Sequence, residues 1–162
     1  MQLFLIRHAD ALPLDETMDG DEARPLSEEG HQQIGRLASA FRRLDARPDI
    51  LLSSPLVRAR QTAELLAGRL GRHELAVEET EHLAPGGSQR RLLKLLRKLG
   101  AGQAALVGHE PDLGRLAARL VGGKRARIEF AKGGIACIAC DDPPRRGAGV
   151  LLWMLTPMWM DS

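Results

Sequence analysis

Along this chain, short apolar runs that stop abruptly alternate with longer stretches in which apolar residues recur every three or four positions. Leu3-Phe4-Leu5-Ile6 is continuous rather than alternating, the pattern of a central parallel strand buried on both faces. Ile50 to Leu52, Leu75 to Val77 and Ala104 to Val107 read as further short strands. Between them, Ile34, Leu37, Ala38, Phe41 and Leu44 fall at helical spacing. Ser27 is the expected cap of that helix, with Glu28 and Glu29 in the first turn, where the helix dipole favours negative charge. Ser54-Pro55 is the expected start of a second helix, continued by Thr62, Leu65, Leu66 and Leu70, because proline is tolerated at the first helical position. A third helix is predicted from about Ser88 to Leu99 with Leu92, Leu95, Leu96 and Leu99 inward. Pro111 opens a fourth that carries Leu113, Leu116, Ala117 and Leu120. The last third, "RIEFAKGGIACIAC" and "AGVLLWML", reads as two or three strands broken at Gly133-Gly134 and at Asp141 to Pro144. Strands and helices in alternation predict an α/β domain with a largely parallel sheet.

The composition limits the function classes. With 162 residues, one domain over residues 1–162 around one core is expected. Hydrophobic residues make up 44% and charged residues 27%, so the chain should fold alone. Lysine and arginine number 23 against 21 acidic residues, a net charge of +2, which argues for no nucleic-acid and no membrane partner. Any preference for anions must be local. The apolar runs are far short of the roughly 20 residues a membrane span needs, and the N-terminus lacks a basic-then-apolar signal pattern, so a cytoplasmic location is expected. Cys137 and Cys140 allow at most one bridge, which fits a reducing compartment.

Three segments share one form: a buried strand, an abrupt stop, a polar or basic residue, then a helix. Arg7 and His8 follow the first strand, Arg58 lies in the first turn of the second helix, and His109 follows "AALVG". Ligands of open α/β sheets bind beyond the carboxyl ends of the strands, so these four residues converge on one crevice if their strands are neighbours. Two guanidinium ions about 4 Å apart repel by roughly 4 kcal/mol at an effective dielectric near 20, which makes sense mainly around an anion. Phosphate or sulfate suits the pocket, because arginine's planar fork matches such oxygens bidentately. The same positive field should lower the histidine pKa values and keep the imidazoles neutral. A neutral His8 is then a nucleophile, provided its other nitrogen is tied by a carbonyl or carboxylate. His109 would stabilise charge on the phosphoryl oxygens during in-line transfer. No cofactor and no metal is called for.

"LIRHADA", "SSPLVRARQTAE" and "LVGHEPDLG", in that order, resemble the histidine phosphatase superfamily, which includes phosphoglycerate mutases and acid phosphatases. The short length together with "RHADA", "RPLSEEG", "LAPGG" and "GHEPDLG" most resembles its SixA-type phosphohistidine phosphatases. The resemblance implies a three-layer sandwich whose mostly parallel, mixed central sheet is flanked by helices. It implies that His8 takes the phosphoryl group, that Arg7 and Arg58 bind it, and that His109 completes the pocket. Two positions depart from the wider family. Ala9 stands where most members have glycine, and "VEETEHLAPGG" offers Glu79 and Glu81 as proton donors but lacks the usual acid motif. An alkoxide is a poor leaving group without a proton, whereas a protonated phosphohistidine leaves with little help. The expected substrate is therefore phosphohistidine on a protein, such as a phosphotransfer domain acting in signal transduction. A small-molecule phosphate monoesterase of the same mechanism is the alternative, and a non-catalytic module that binds phosphorylated partners is a further one.

The remaining motifs read as structural. Cys137-Ile-Ala-Cys140 lies in a strand-like run with no second pair of ligands, which suits buried cysteines better than zinc or redox chemistry. "GGKRAR", Gly122 to Arg127, lacks the earlier glycine and the following serine or threonine of a phosphate loop, and reads as a solvated basic loop, which could help dock an acidic partner protein. His31, His73 and His82 are expected at the surface. Trp153, Trp159, Met154, Met158 and Met160 are expected to pack in the core and at the C-terminus.

Overall fold

The structure, a computed structural model, describes residues 1–72, 75–123, 126–141 and 143–160. Six strands form one sheet: β1 (Gln2–Arg7), β2 (Ile50–Ser53), β3 (Val77–Glu79), β4 (Gln103–Gly108), β5 (Ile135–Ala139) and β6 (Val150–Leu155). Their spatial order is β3-β2-β4-β1-β5-β6. The first four run parallel, whereas β5 is antiparallel to β1 and β6 antiparallel to β5. Among the described residues four α-helices connect them: α1 (Glu28–Arg43), α2 (Val57–Arg69), α3 (Gln89–Leu99) and α4 (Asp112–Val121).

The side-chain alternation along β1 divides the core. Phe4 and Ile6 point to one face, where they meet Ile34, Leu37 and Phe41 of α1 and Ala63 and Leu66 of α2. Leu3 and Leu5 point to the other, against Leu92 and Leu96 of α3 and Leu113, Leu116 and Leu120 of α4. The result is the mostly parallel, helix-flanked mixed sheet that the sequence implied. Because α1 and α2 leave to one face and α4 to the other, the chain parts at the exits of β1, β4 and β2, the usual place for a ligand crevice.

Some boundaries differ from the sequence pattern. The third strand lies at Val77–Glu79 rather than at Leu75 to Val77. It is a sheet edge paired only with β2 through Leu51↔Val77, so its residues are largely exposed and polar, while Leu75 is buried ahead of it in the α1–α2 core. The second helix begins at Val57, with Leu56 as its cap, because Pro55 and Leu56 form a bend after β2 in which the Ser54 hydroxyl accepts from the Leu56 N–H at 3.3 Å. Leu44 ends α1 and is exposed. The last third holds two strands; Phe130 is buried but lies outside both.

Ser27 caps α1 as expected, its hydroxyl accepting from the Gly30 N–H at 3.1 Å. Of the aromatic and methionine residues near the C-terminus, Met160 is buried and its carbonyl accepts from Arg43. Trp159 and Met158 are exposed, because they sit on a short turn, Pro157–Trp159, beyond the last strand. Cys137 is buried and Cys140 half-buried, both free, and burial pushes both thiols up to about 11. His31 and His82 are half-buried; His73, Lys124 and Arg125 lie outside the described residues. Among the described residues, no helix is long and apolar enough to cross a membrane.

Candidate active site

The register of the sheet brings the site together. Arg7 of β1 lies opposite Gly108 of β4, so the next residues, His8 and His109, leave the sheet side by side. Their ring centroids are 4.9 Å apart at 52°. β2 flanks β4 on its other side and delivers Ser54 and then α2, whose first turn carries Arg58. His8, His109 and Arg58 are 6%, 4% and 5% exposed, a polar cluster sunk between the two core layers. Such burial is tolerated only where hydrogen bonds satisfy the groups.

Those bonds fix each side chain. The His8 Nδ1 is 2.8 Å from the Ala9 carbonyl. A carbonyl only accepts, so Nδ1 carries the proton and Nε2 keeps its lone pair. Arg58 Nε donates toward that Nε2 at 3.3 Å. The loop after β1 is equally tied: the His8 N–H donates to the Gly108 carbonyl, the Ala9 N–H to Thr62 Oγ1 and the Asp10 N–H to Gln33 Oε1. Thr62 in turn donates to the Arg58 carbonyl at 2.7 Å, linking the histidine loop to the arginine helix. Ala9, where most of the wider family has glycine, is fully buried with its methyl in the α1–α2 core. His109 Nε2 lies 2.8 Å from the Ser54 hydroxyl.

The arginines are anchored without being used up. Arg58 spends three of its five N–H groups, one on His8, one on the Asp21 carbonyl at 2.7 Å and one on the Asp21 carboxylate at 2.9 Å. Arg7 donates through one terminal nitrogen to the Phe130 carbonyl at 2.7 Å, while its buried Nε has no partner among the described residues. Glu110 accepts from the Phe130 N–H and so steadies the segment that holds Arg7.

The electrostatics follow from this packing. Burial chiefly, then the charges of Arg58 and Arg7, lowers His8 to about 4, although its bond to Ala9 opposes the shift. Burial, then His8 and Arg58, lowers His109 to about 3. Both rings are therefore neutral at neutral pH, and a neutral Nε2 beside two part-free guanidinium groups can attack a bound electrophilic phosphorus. Burial raises the Asp21 carboxyl, but the charges and hydrogen bonds of Arg58 and Arg24 together outweigh it and hold the group below its ordinary value. Lys132 Nζ donates to Asp10 at 2.6 Å, on the rim of the same loop.

Glu79 and Glu81 are placed differently. Both are exposed at the exit of β3, where the Thr80 N–H donates to the Ser53 carbonyl. Glu79 pairs with Arg60 at 3.7 Å, and among the described residues neither glutamate bonds to His8, His109, Arg7 or Arg58. Sequence reasoning thus found the four converging residues and missed Asp21, Thr62 and Phe130, which hold them. Ser54 was visible only as a helix opener, and Thr62 only as a helix-face position. No group of three or more histidine, cysteine, aspartate or glutamate residues is arranged to hold a metal among the described residues.

Residues 3–84 match the family model of the histidine phosphatase superfamily (branch 1). The chain belongs to the histidine phosphatase superfamily. It is 38% identical over 141 residues to an uncharacterized protein of Picosynechococcus, covering 83% of this chain and 82% of that one. It is 29% identical over 160 residues to the phosphohistidine phosphatase SixA of Escherichia coli, covering 97% and 94%. Among solved structures, that of the protein histidine phosphatase SixA complexed with tungstate superposes with a TM-score of 0.86 at 27% identity, covering 99% of both chains. This histidine phosphatase is of SixA type, a phosphatase whose pocket fits the phosphoryl group of a phosphorylated substrate.

Proposed function

We propose that this phosphatase hydrolyses phosphohistidine on a protein, through a phosphohistidine intermediate on His8. The observation that carries the reading is the tautomer of His8: Nδ1 is locked on the Ala9 carbonyl and Nε2 faces Arg58. In the first step Nε2 forms a bond to phosphorus as the bond from phosphorus to the substrate's imidazole nitrogen breaks. The substrate ring, protonated on its other nitrogen, takes the electron pair and departs as neutral imidazole. Water then attacks phosphorus on the opposite side, the bond to Nε2 breaks, and inorganic phosphate leaves with the water proton passed to phosphate or solvent. Arg7, Arg58 and His109 meet the charge on the phosphoryl oxygens, so the route calls on no metal ion.

The substrate choice rests on the leaving group. Imidazole titrates near 6.5, so a protonated phosphohistidine needs no donor at neutral pH. An ester would release an alkoxide and needs a general acid, typically worth 10²–10⁴-fold. Glu79 and Glu81, exposed and one of them paired with Arg60, are poorly set for that task.

The test compares purified protein and His8→Ala on a phosphohistidine carrier domain and on a chromogenic phosphate ester. Fast loss of phosphohistidine that requires His8, with slow ester cleavage, is the expected result. Efficient ester cleavage with carriers left intact would overturn the substrate in favour of a small-molecule phosphatase. Phosphate binding with no turnover of either would leave a binding module.

A further inference from the structure

A groove of about 840 Å³ lies between α3, α4 and the segment after β5. Arg90, Arg91, Lys94, Arg97, Arg119 and Arg145 line it, and among the described residues no acidic one does. None of the six has an ion-pair partner among the described residues, although Arg115 next to them on α4 is paired with Asp112 at 3.3 Å.

Intrachain forces do not account for this arrangement. Arg90 and Arg91 occupy the first turn of α3, which has no acidic residue, where the helix dipole disfavours positive charge. Arg90, Lys94 and Arg97 repeat at helical spacing, and like charges so placed weaken a helix. Helix α1 places Glu28 and Glu29 in its first turn instead, while both helices end on basic residues, Arg42 and Arg43 in α1 and Arg97 and Lys98 in α3. The cations at the start of α3 thus cost the isolated chain stability that an external anion would restore.

One end of the groove neighbours a crevice that His109 lines. Ser88 at that end caps α3, and the next residue, Gln89, lines with His82, Gly87 and His109 a tight crevice at the exit of β4. The Gly86 N–H donates to Asp112 at 2.7 Å, clamping the start of α3 to the start of α4 just past His109. Leu93, Pro143 and Pro144 add apolar surface to the basic walls. Among the described residues no aromatic side chain lines the groove, so they offer no stacking platform for bases. The loop bearing Asp15, Glu16, Asp19, Asp21 and Glu22, with Asp21 on Arg58, sets negative charge at the catalytic mouth, where a long polyanion would be repelled.

We infer that the α3–α4 groove docks an acidic face of the protein whose phosphohistidine enters the pocket, so that charge recognition and catalysis occupy adjoining but separate surfaces. The inference rests on the protein-substrate reading above. Basic residues of this kind act chiefly through association rate and salt dependence.

The experiment uses Arg91→Glu/Lys94→Glu/Arg97→Glu, with the corresponding triple alanine variant as a milder change, and confirms folding by circular dichroism. Two substrates are compared, an acidic phosphohistidine carrier domain and the phosphoramidate ion. The expected result is a rise in KM for the carrier of about tenfold or more at low salt, shrinking at high salt, with kcat for both substrates unchanged. An unchanged KM for the carrier would overturn the docking site while leaving the phosphohistidine reading intact. If the parent protein cleaves phosphoramidate but spares the carrier, the protein-substrate reading fails and the docking site with it. Binding of polyuridylate that is tighter than that of the carrier and lost in the triple variant would overturn it in favour of a nucleic-acid groove.

Discussion

Where β1 and β4 end, the chain buries its polar groups and ties each one down; where β3 ends, it leaves them in solvent. His8 and His109 are almost fully enclosed, with a fixed tautomer on one and a serine partner on the other. Glu79 and Glu81, two strands away, stand exposed on a sheet edge. On the proposed reading, the half of the site that would receive the phosphoryl group is held in place before substrate arrives, whereas the exit of β3 offers no enclosed proton donor among the described residues. A preorganised receiving half lowers the barrier for any phosphoryl donor. Such a site would favour a donor that departs without a proton from the enzyme, as the proposed phosphohistidine does.

The largest expected effect is at the buried end. His8→Ala should cut turnover of phosphohistidine by about 10⁴-fold or more, because it removes the nitrogen on which the proposed intermediate forms. A loss of tenfold or less in a steady-state assay would mean that the enclosed histidine is not the acceptor. Arg58→Ala should cost about 10²–10³-fold in kcat/KM, by analogy with removing a donor aimed at developing charge. Part of that loss should reappear in Asp21→Asn, whose carboxamide holds the guanidinium less firmly; the two kinetic profiles can be compared directly.

The pH profile sharpens the contrast further. His8 must be neutral to attack, and its pKa lies at about 4 rather than 6.5. At pH 5, kcat/KM for phosphohistidine should therefore stay within a few-fold of its neutral value, after subtraction of uncatalysed loss. A histidine with the ordinary pKa of about 6.5 would lose roughly 30-fold there. The same lowered values act on stability in the opposite sense. The unfolded chain takes up protons near pH 6.5 and the folded histidines only near 4 and 3, so stability is full above 6.5 and falls as pH drops toward 4. Thermal melts between pH 7 and 4.5 should show this decline, and it should be shallower in His109→Gln.

Smaller effects are expected away from the reacting atoms. Thr62→Val leaves the buried Ala9 N–H without its acceptor and should cost about 1–3 kcal/mol in denaturant unfolding. At the exposed end, Glu79→Gln and Glu81→Gln should each change phosphohistidine turnover by less than about threefold, against the 10²–10⁴-fold typical of a general acid. A large loss in either variant would erase the contrast between the two exits.

This contrast also marks what was legible in the sequence. Arg7, His8, Arg58 and His109 follow buried strands or open helices, so periodicity alone placed them at the same end of a parallel sheet. Asp21 lies in a single 3-10 turn and Phe130 in an irregular segment, both with partners chosen by tertiary folding, and no period betrays them. The third strand was displaced by two residues because an edge strand needs no apolar run, and the buried Leu75 drew the pattern toward itself. Ser54 looked like a helix start because the Ser-Pro signal is local, whereas its partner His109 is 55 residues away. Met158 and Trp159 carried an apolar pattern onto the solvent side of a short turn whose Pro157 and Met160 face inward.

The central claim is that phosphorus passes through His8 Nε2. The most direct measurement is rapid quenching of the parent protein mixed with a ³²P-labelled phosphohistidine carrier domain, followed by mapping of the label on this chain. The account predicts a transient adduct, labile to acid and stable to alkali, on Nε2 of His8 and absent from His8→Ala. Loss of the carrier's phosphate at an undiminished rate with no label ever reaching His8 would contradict it.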